Sequence, residues 1–192
     1  MARLDYVDPE TFPSDKRSLL DTLSNVDATP SVEHSLEGGT LNVYRALGRN
    51  LALLEGFRTY AGVVWHQGGL SPHERELVIL ATAYHADSAY EWHQHVRVAL
   101  DEGVPPEHVL AISREEHDHL PDEYQSLVAY VARFVAGQVD DATHDALADD
   151  YDDETILGVG MLSGLYLGLA HVIAAIEVDF ESDFVGWDLE RL

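Results

Sequence analysis

Four residues in one short stretch, Glu76, Ser88, Glu91 and His95, are of types that move protons or hold a polar ligand. Glu91 and His95 stand four apart, a spacing that puts both side chains on one face of a helix. At about 100° per residue, Ser88, Glu91, Trp92 and His95 fall within the apolar arc that also holds Val96 and Ala99. His93, Gln94, Arg97 and Asp101 fall on the opposite side and are expected to face solvent, and Tyr90 turns away from the Ser88/Glu91/His95 face. A carboxylate buried beside an imidazole is costly unless each satisfies the other, and both pKa values are then expected to move. Two readings fit this pattern: a proton-transfer site, or a Glu/His pair that ties two helices together.

The elements that must position these residues read as helices. Ser71-Pro72-His73-Glu74 supplies an N-cap, a proline at the first helical position and a capping-box glutamate, so a helix runs from Pro72 to about His85. Ser88 to Glu102 is a second helix, stopped by Gly103 with Pro105 and Pro106 beyond it. Upstream, apolar residues at helical spacing run from Leu41 to His66 with a break near Gly48 to Asn50. Downstream, helices are expected at 105–112, 121–137, 143–151 and 154–177. No period-two pattern persists, so the class is all-α. Residues 1–38 read as an acidic arm with one short helical stretch near Asp15 to Leu23, and 39–192 as a single domain whose core motif is 70–104.

Composition removes several functions. Thirty-five acidic against 11 basic residues leave a net charge of −24, and Lys16 is the only lysine, so nucleic acid and anionic membrane surfaces are poor partners. With no cysteine there is no disulfide, thiolate metal site or thiol redox cycle. The acidic load resembles that of proteins from salt-loving microbes, where screening makes such charge tolerable. The N-terminus lacks a secretory apolar run, which makes a cytoplasmic location the expectation. Thr155 to Ile176 holds no charged residue and is long enough to span a bilayer. Acidic residues flank it on both sides in place of Lys/Arg anchors, so a buried or interface helix is expected there.

The block from Leu70 to Leu80, followed by Ser88-Ala89-Tyr90-Glu91-Trp92-His93-Gln94-His95-Val96 and Gly103-Val104, resembles the carboxymuconolactone decarboxylase family, which includes the alkylhydroperoxidase AhpD. The resemblance implies an AhpD-like helical bundle that assembles as a homo-oligomer (dimer, trimer or hexamer). The AhpD motif of Glu, eleven residues, Cys-x-x-Cys, three residues and His falls here on Glu76, Ser88, Glu91 and His95. Both cysteine positions are changed, so self-contained thiol peroxidase chemistry is excluded. The cysteine-free branch resembles decarboxylases of a carboxylated lactone. That reaction needs a donor at the lactone carbonyl and an acid to reprotonate carbon. His95 is then the expected proton carrier, Glu91 its orienting partner and Glu76 a second carboxylate. Ser88, Trp92, His66 and Tyr90 are the expected substrate contacts, with a small molecule as substrate and no cofactor or bound metal. A non-catalytic helical scaffold that kept the fold without the cysteines is the alternative.

One departure concerns the substrate's charge, since no arginine lies on the Ser88/Glu91/His95 face; Arg75, Arg45, Arg49 and Arg58 lie elsewhere in the sequence. Gly160, Gly164 and Gly168 recur every four residues in the uncharged helix, and His171 extends the stripe. Glycine inside a helix costs about 1 kcal/mol relative to alanine, so the stripe suggests a close backbone approach, either between subunits or beside the pocket with His171 near His95.

Overall fold

The computed structural model describes residues 2–21 and 40–192. Eight α-helices follow in order among them: α1 Asn42–Leu47, α2 Leu51–Gln67, α3 Pro72–His85, α4 Ala89–Asp101, α5 Pro106–Ser113, α6 Asp122–Val135, α7 Asp141–Ala148 and α8 Asp153–Ile176. The only β pairing among the described residues is a single bridge between Asp21 and Thr40. The expected capping box at Ser71 and Glu74 is formed in both directions. α1 ends at Gly48 and α2 starts anew on Asn50, whose side chain accepts from the Leu53 amide, and this is the expected break. Of the short stretch expected near Asp15 to Leu23, Arg17–Leu20 forms a 3₁₀ turn, and residues 22 and 23 lie outside the described residues.

The centre of the bundle is α3. Every residue from Arg75 to Ala83 is buried, and the helix packs against α4, α5, α6 and α8. Between α3 and α4 the chain reverses in three residues, with Asp87 at φ 52°, a left-handed position that Asp tolerates better than most side chains. This tight reversal lays α4 alongside α3, and Glu76 comes to face His95 although they lie far apart in sequence.

This packing corrects one expectation from sequence and locates a close backbone approach within the chain. On α4, His93 and Gln94 are buried, not solvent-facing, because the chain after α8 returns across that helix. The Val185 amide donates to His93 Nδ1 (3.2 Å), the Gly186 carbonyl accepts from Trp92 Nε1 (3.1 Å), and Glu181 Oε2 accepts from Gln94 Nε2 (2.6 Å). On α8 the close backbone approach falls at Gly158, where a Cβ would collide with the Gly68 carbonyl at the end of α2. Among the described residues of this chain, a Cβ at Gly160 or Gly164 would meet only the Phe134 ring, at 3.8 and 3.9 Å, and a Cβ at Gly168 would meet nothing within 4 Å.

The most apolar 18-residue stretch of α8 has a mean hydropathy of 1.9, and the helix is long and apolar enough to cross a membrane by those criteria alone. Its buried side carries Ile156, Val159, Leu162, Tyr166, Ala170 and Ile173, while Leu157, Met161 and Val172 are exposed. The N-terminal residues pack at its far end and on α2: the Arg3 amide donates to the Ile176 carbonyl, and Phe12 and Leu20 are buried with Leu54.

Candidate functional site

Glu76 lies at the centre of a polar chain inside this core. It is fully buried, and its Oε2 accepts from His95 Nδ1 at 2.8 Å while its Oε1 accepts from Arg75 Nε at 3.3 Å. Arg75 is buried as well, with its guanidinium 4.1 Å above the Trp65 ring and its Nη2 3.6 Å from Glu102 Oε1. A carboxylate can only accept, so Glu76 fixes the His95 proton on Nδ1 and leaves Nε2 as the basic nitrogen. The His95 ring stands edge-on to Tyr166, with centroids 5.0 Å apart, and keeps 13% of its side chain exposed. Glu76, not Glu91, is therefore the orienting partner of His95. The i, i+4 spacing makes Glu91 available, yet the carboxylate from α3 occupies Nδ1.

Glu91 plays a different part. It is 3% exposed, and neither carboxyl oxygen has a hydrogen-bond partner among the described residues. Burial pushes its pKa up to about 8, and the nearby Ser88 hydroxyl softens the rise without reaching hydrogen-bond geometry. At neutral pH the group is a carboxylic acid, because an unpaired carboxylate in such surroundings costs more than holding a proton.

Glu91 and His95 share a pocket. Leu41, Val43, Phe57, Leu165, Leu169 and Ile173 form its apolar walls, and Tyr44, Tyr90, Gln94 and Tyr166 add rings and an amide. The space open to the centres of water molecules is about 50 Å³. One water needs roughly 10–15 Å³ on that measure, so several fit, or one small ring in their place. Among the described residues no lysine or arginine lines the pocket. Arg58 lies over the ring of the lining residue Tyr44 at 4.7 Å and outside the lining itself.

The remaining expected contacts divide. Tyr90 lines the pocket instead of turning away from it, since its hydroxyl is anchored by donating to Glu181 Oε1 (2.7 Å) and accepting from the Val43 amide (3.2 Å). Ser88 is buried beside Glu91 at the start of α4 and does not line the pocket. Trp92 is fully buried in the main core against Tyr84 and Trp187, and His66 is exposed on α2; neither reaches the pocket. His171 is exposed on α8 and also stands apart from it. Gln94, Tyr44 and Tyr166 are lining residues that the sequence reading missed. For Gln94 the available signal was its place one residue before His95, and the helix wheel set it on the wrong side. Among the described residues no three His, Asp or Glu side chains converge as a metal ion would require.

The profile of the carboxymuconolactone decarboxylase family matches residues 52–118, which hold α2 through α5 and the Glu76/Glu91/His95 constellation. No curated protein matches the chain. Among solved structures, the AhpD core of an uncharacterized peroxidase-related protein from Ralstonia eutropha JMP134 superposes with a TM-score of 0.75 at 16% identity, covering 100% of this chain and 97% of that one. A peroxidase-related protein from Silicibacter gives 0.65 at 15% identity, with 96% and 94% covered. The debrominase Bmp8 in complex with 2,3,4-tribromopyrrole gives 0.66 at 14% identity, with 73% and 76% covered. These likenesses show that the carboxymuconolactone decarboxylase segment sits in an AhpD-like all-α fold.

Proposed function

We propose that the protein is an acid/base enzyme of the carboxymuconolactone decarboxylase family acting on a small unsaturated lactone or related carbonyl compound. The observation that carries this reading is the pairing, in one apolar pocket, of a histidine whose tautomer is set by Glu76 with a glutamic acid that stays protonated near neutral pH. A histidine with a free ring nitrogen and a carboxyl that keeps its proton can divide the work of base and acid between them. His95 Nε2 takes a proton from carbon, the electron pair moves through the unsaturated system to the carbonyl oxygen, and the Glu91 O–H supplies the proton that the oxygen needs. A decarboxylation through the same dienolate would bring a substrate carboxylate into a lining without lysine or arginine among the described residues, so proton transfer on an uncharged compound is the reaction this pocket favours. The absence of any cation from the lining favours lactones over dicarboxylates as substrates.

The test is proton exchange. Purified protein is incubated with a panel of unsaturated lactones in D₂O, and deuterium entry and double-bond position are followed by NMR. Turnover of at least one member is expected, with His95→Ala losing at least about 10²-fold, the low end for a general acid or base. Exchange by none of the panel, or a fully active His95→Ala, rejects the enzyme reading in favour of a helical scaffold.

Self-association is a second part of the proposal. Leu157, Met161 and Val172 on α8 and Tyr60 and Val63 on α2 are exposed together, with the Tyr60 hydroxyl donating to the Met161 carbonyl (3.3 Å). A second copy would cover this apolar face, and light scattering on the purified protein reads the outcome directly.

A further inference from the structure

The pocket contains more unpaired hydrogen-bonding atoms than the proton-transfer chemistry uses. Among the described residues both Glu91 oxygens lack partners, and so does Gln94 Oε1. The Gln94 amide cannot turn over to relieve this. Its Nε2 donates to Glu181 Oε2 at 2.6 Å, and a carboxylate accepts only, so the amide oxygen is the end left free. Glu181 is itself held in place by the Tyr90 hydroxyl (2.7 Å) and the Asn42 amide (2.6 Å). The free atoms are thus one O–H donor and one C=O acceptor on Glu91, with a second acceptor on Gln94. Around them, among the described residues, stand hydrocarbon and rings with His95, the tyrosine hydroxyls and the Ser88 hydroxyl beside Glu91, and buried polar atoms are costly until something pairs with them.

A protonated carboxyl presents its donor and acceptor side by side, and the matching edge is an acceptor with a donor next to it. We propose that this pocket takes an uncharged five- or six-membered ring carrying a hydrogen-bond donor beside a carbonyl, as a lactam does, bound by the carboxyl of Glu91 with the Gln94 carbonyl as a further acceptor. The inference rests on reading this cavity as the substrate site and narrows the substrate class within it. A lactone of the same shape satisfies the Glu91 donor and leaves its acceptor unpaired. A ring carboxylate meets no cation and brings an uncompensated charge into an apolar enclosure.

Three probes of similar size distinguish these cases: 2-pyridone, an unsaturated six-membered lactone (2-pyranone) and 2-furoate. Their binding is followed by NMR through the methyl resonances of Ile173, Leu165 and Ala61, which line the pocket. The expected order is 2-pyridone first, 2-pyranone weaker by roughly tenfold, the loss that goes with an unpaired buried acceptor, and 2-furoate without saturable shifts. Glu91→Gln keeps a donor beside an acceptor and should retain the preference for the pyridone. Glu91→Leu should abolish the preference while methyl dispersion reports that the fold is intact. Equal affinity for the pyridone and pyranone, tighter binding of furoate, or a preference that survives Glu91→Leu overturns the inference. The exchange experiment with His95→Ala is independent of these affinities: a lactone turned over without any pyridone preference sinks the lactam edge alone, whereas a pyridone preference without turnover of any panel member sinks the enzyme reading alone.

Discussion

Glu91 holds its proton because burial leaves its carboxyl without a hydrogen-bond partner among the described residues, with only the Ser88 hydroxyl nearby, and that has a cost which depends on pH. Its pKa is about 8 in the folded chain against an ordinary 4.5. The folded state therefore binds the proton more tightly, and the contribution to stability is intact below 4.5 and is lost as pH rises from there through about 8. Glu91→Gln cannot ionise. In urea denaturation the variant should gain on the wild type by a few kcal/mol between pH 5 and pH 8, at about 1.4 kcal/mol per pKa unit. A constant difference across that range would mean that Glu91 is solvated or paired in solution. The candidates Glu76, Glu91 and His95 were legible in the sequence because their register matches a known motif. Which glutamate holds the histidine was not legible. Local spacing favours Glu91, four residues away, and only the antiparallel packing of α3 on α4 brings Glu76 Oε2 to 2.8 Å of Nδ1. Arg75, whose guanidinium stacks on Trp65, is drawn into the same chain by tertiary contacts that no helix wheel contains.

At the scale of elements, the helices were readable because their ends carry their own chemistry. Ser71 and Glu74 cap α3, and Asp152 caps α8 by accepting from the Thr155 amide. The segment after α8 has no such signature. It has no helical period, and its value to the fold lies in hydrogen bonds to α4 that a sequence does not display. Its effect is to convert the polar side of α4 into an interior surface, with His93 fully buried between Phe180 and Phe184. His93 Nδ1 accepts from the Val185 amide, so the neutral ring carries its proton on Nε2 and can donate it to Ser182 Oγ (3.2 Å). Burial lowers the His93 pKa to about 4, with the Arg97 guanidinium acting in the same direction. Protonation would put a hydrogen on Nδ1 facing an amide N–H. The stability held by neutral His93 is fully present above the ordinary 6.5 and is lost as pH falls from there toward 4, a window worth on the order of 3 kcal/mol. The His93 ring carbons and the Val185 amide should stay fixed in NMR spectra from pH 7.5 to about 5 and move together below it. A His93 titration centred near 6.5, with Val185 unaffected, would show that this segment does not rest on the imidazole.

For the molecule as a whole, the dominant fact is a net charge of −24 on 192 residues. The ion pairs Arg3–Glu177, Lys16–Glu55 and Arg114–Asp188 engage exposed cations, and such surface pairs are worth about 0–1 kcal/mol each. Arg75 is committed to Glu76 and Glu102 in the interior and does nothing for the surface. With 35 acidic residues against 11 basic, there are too few cations to neutralise most of the carboxylates. The self-repulsion is relieved on unfolding, so it subtracts from stability wherever the field is long-ranged. Salt acts on both contributions. It weakens the few attractive pairs and the many repulsive ones together, and the excess of repulsions decides the sign. The melting temperature should therefore rise with KCl. The screening length falls from about 10 Å at 0.1 M to about 3 Å at 1 M, so most of the rise should arrive below about 1 M and then flatten. A flat profile from 0.1 to 2 M KCl would remove the case for a protein adapted to molar salt. A rise that stays linear in concentration beyond 1 M would point to general exclusion of salt from the protein surface, which acts on any fold, and not to relief of this chain's own charge.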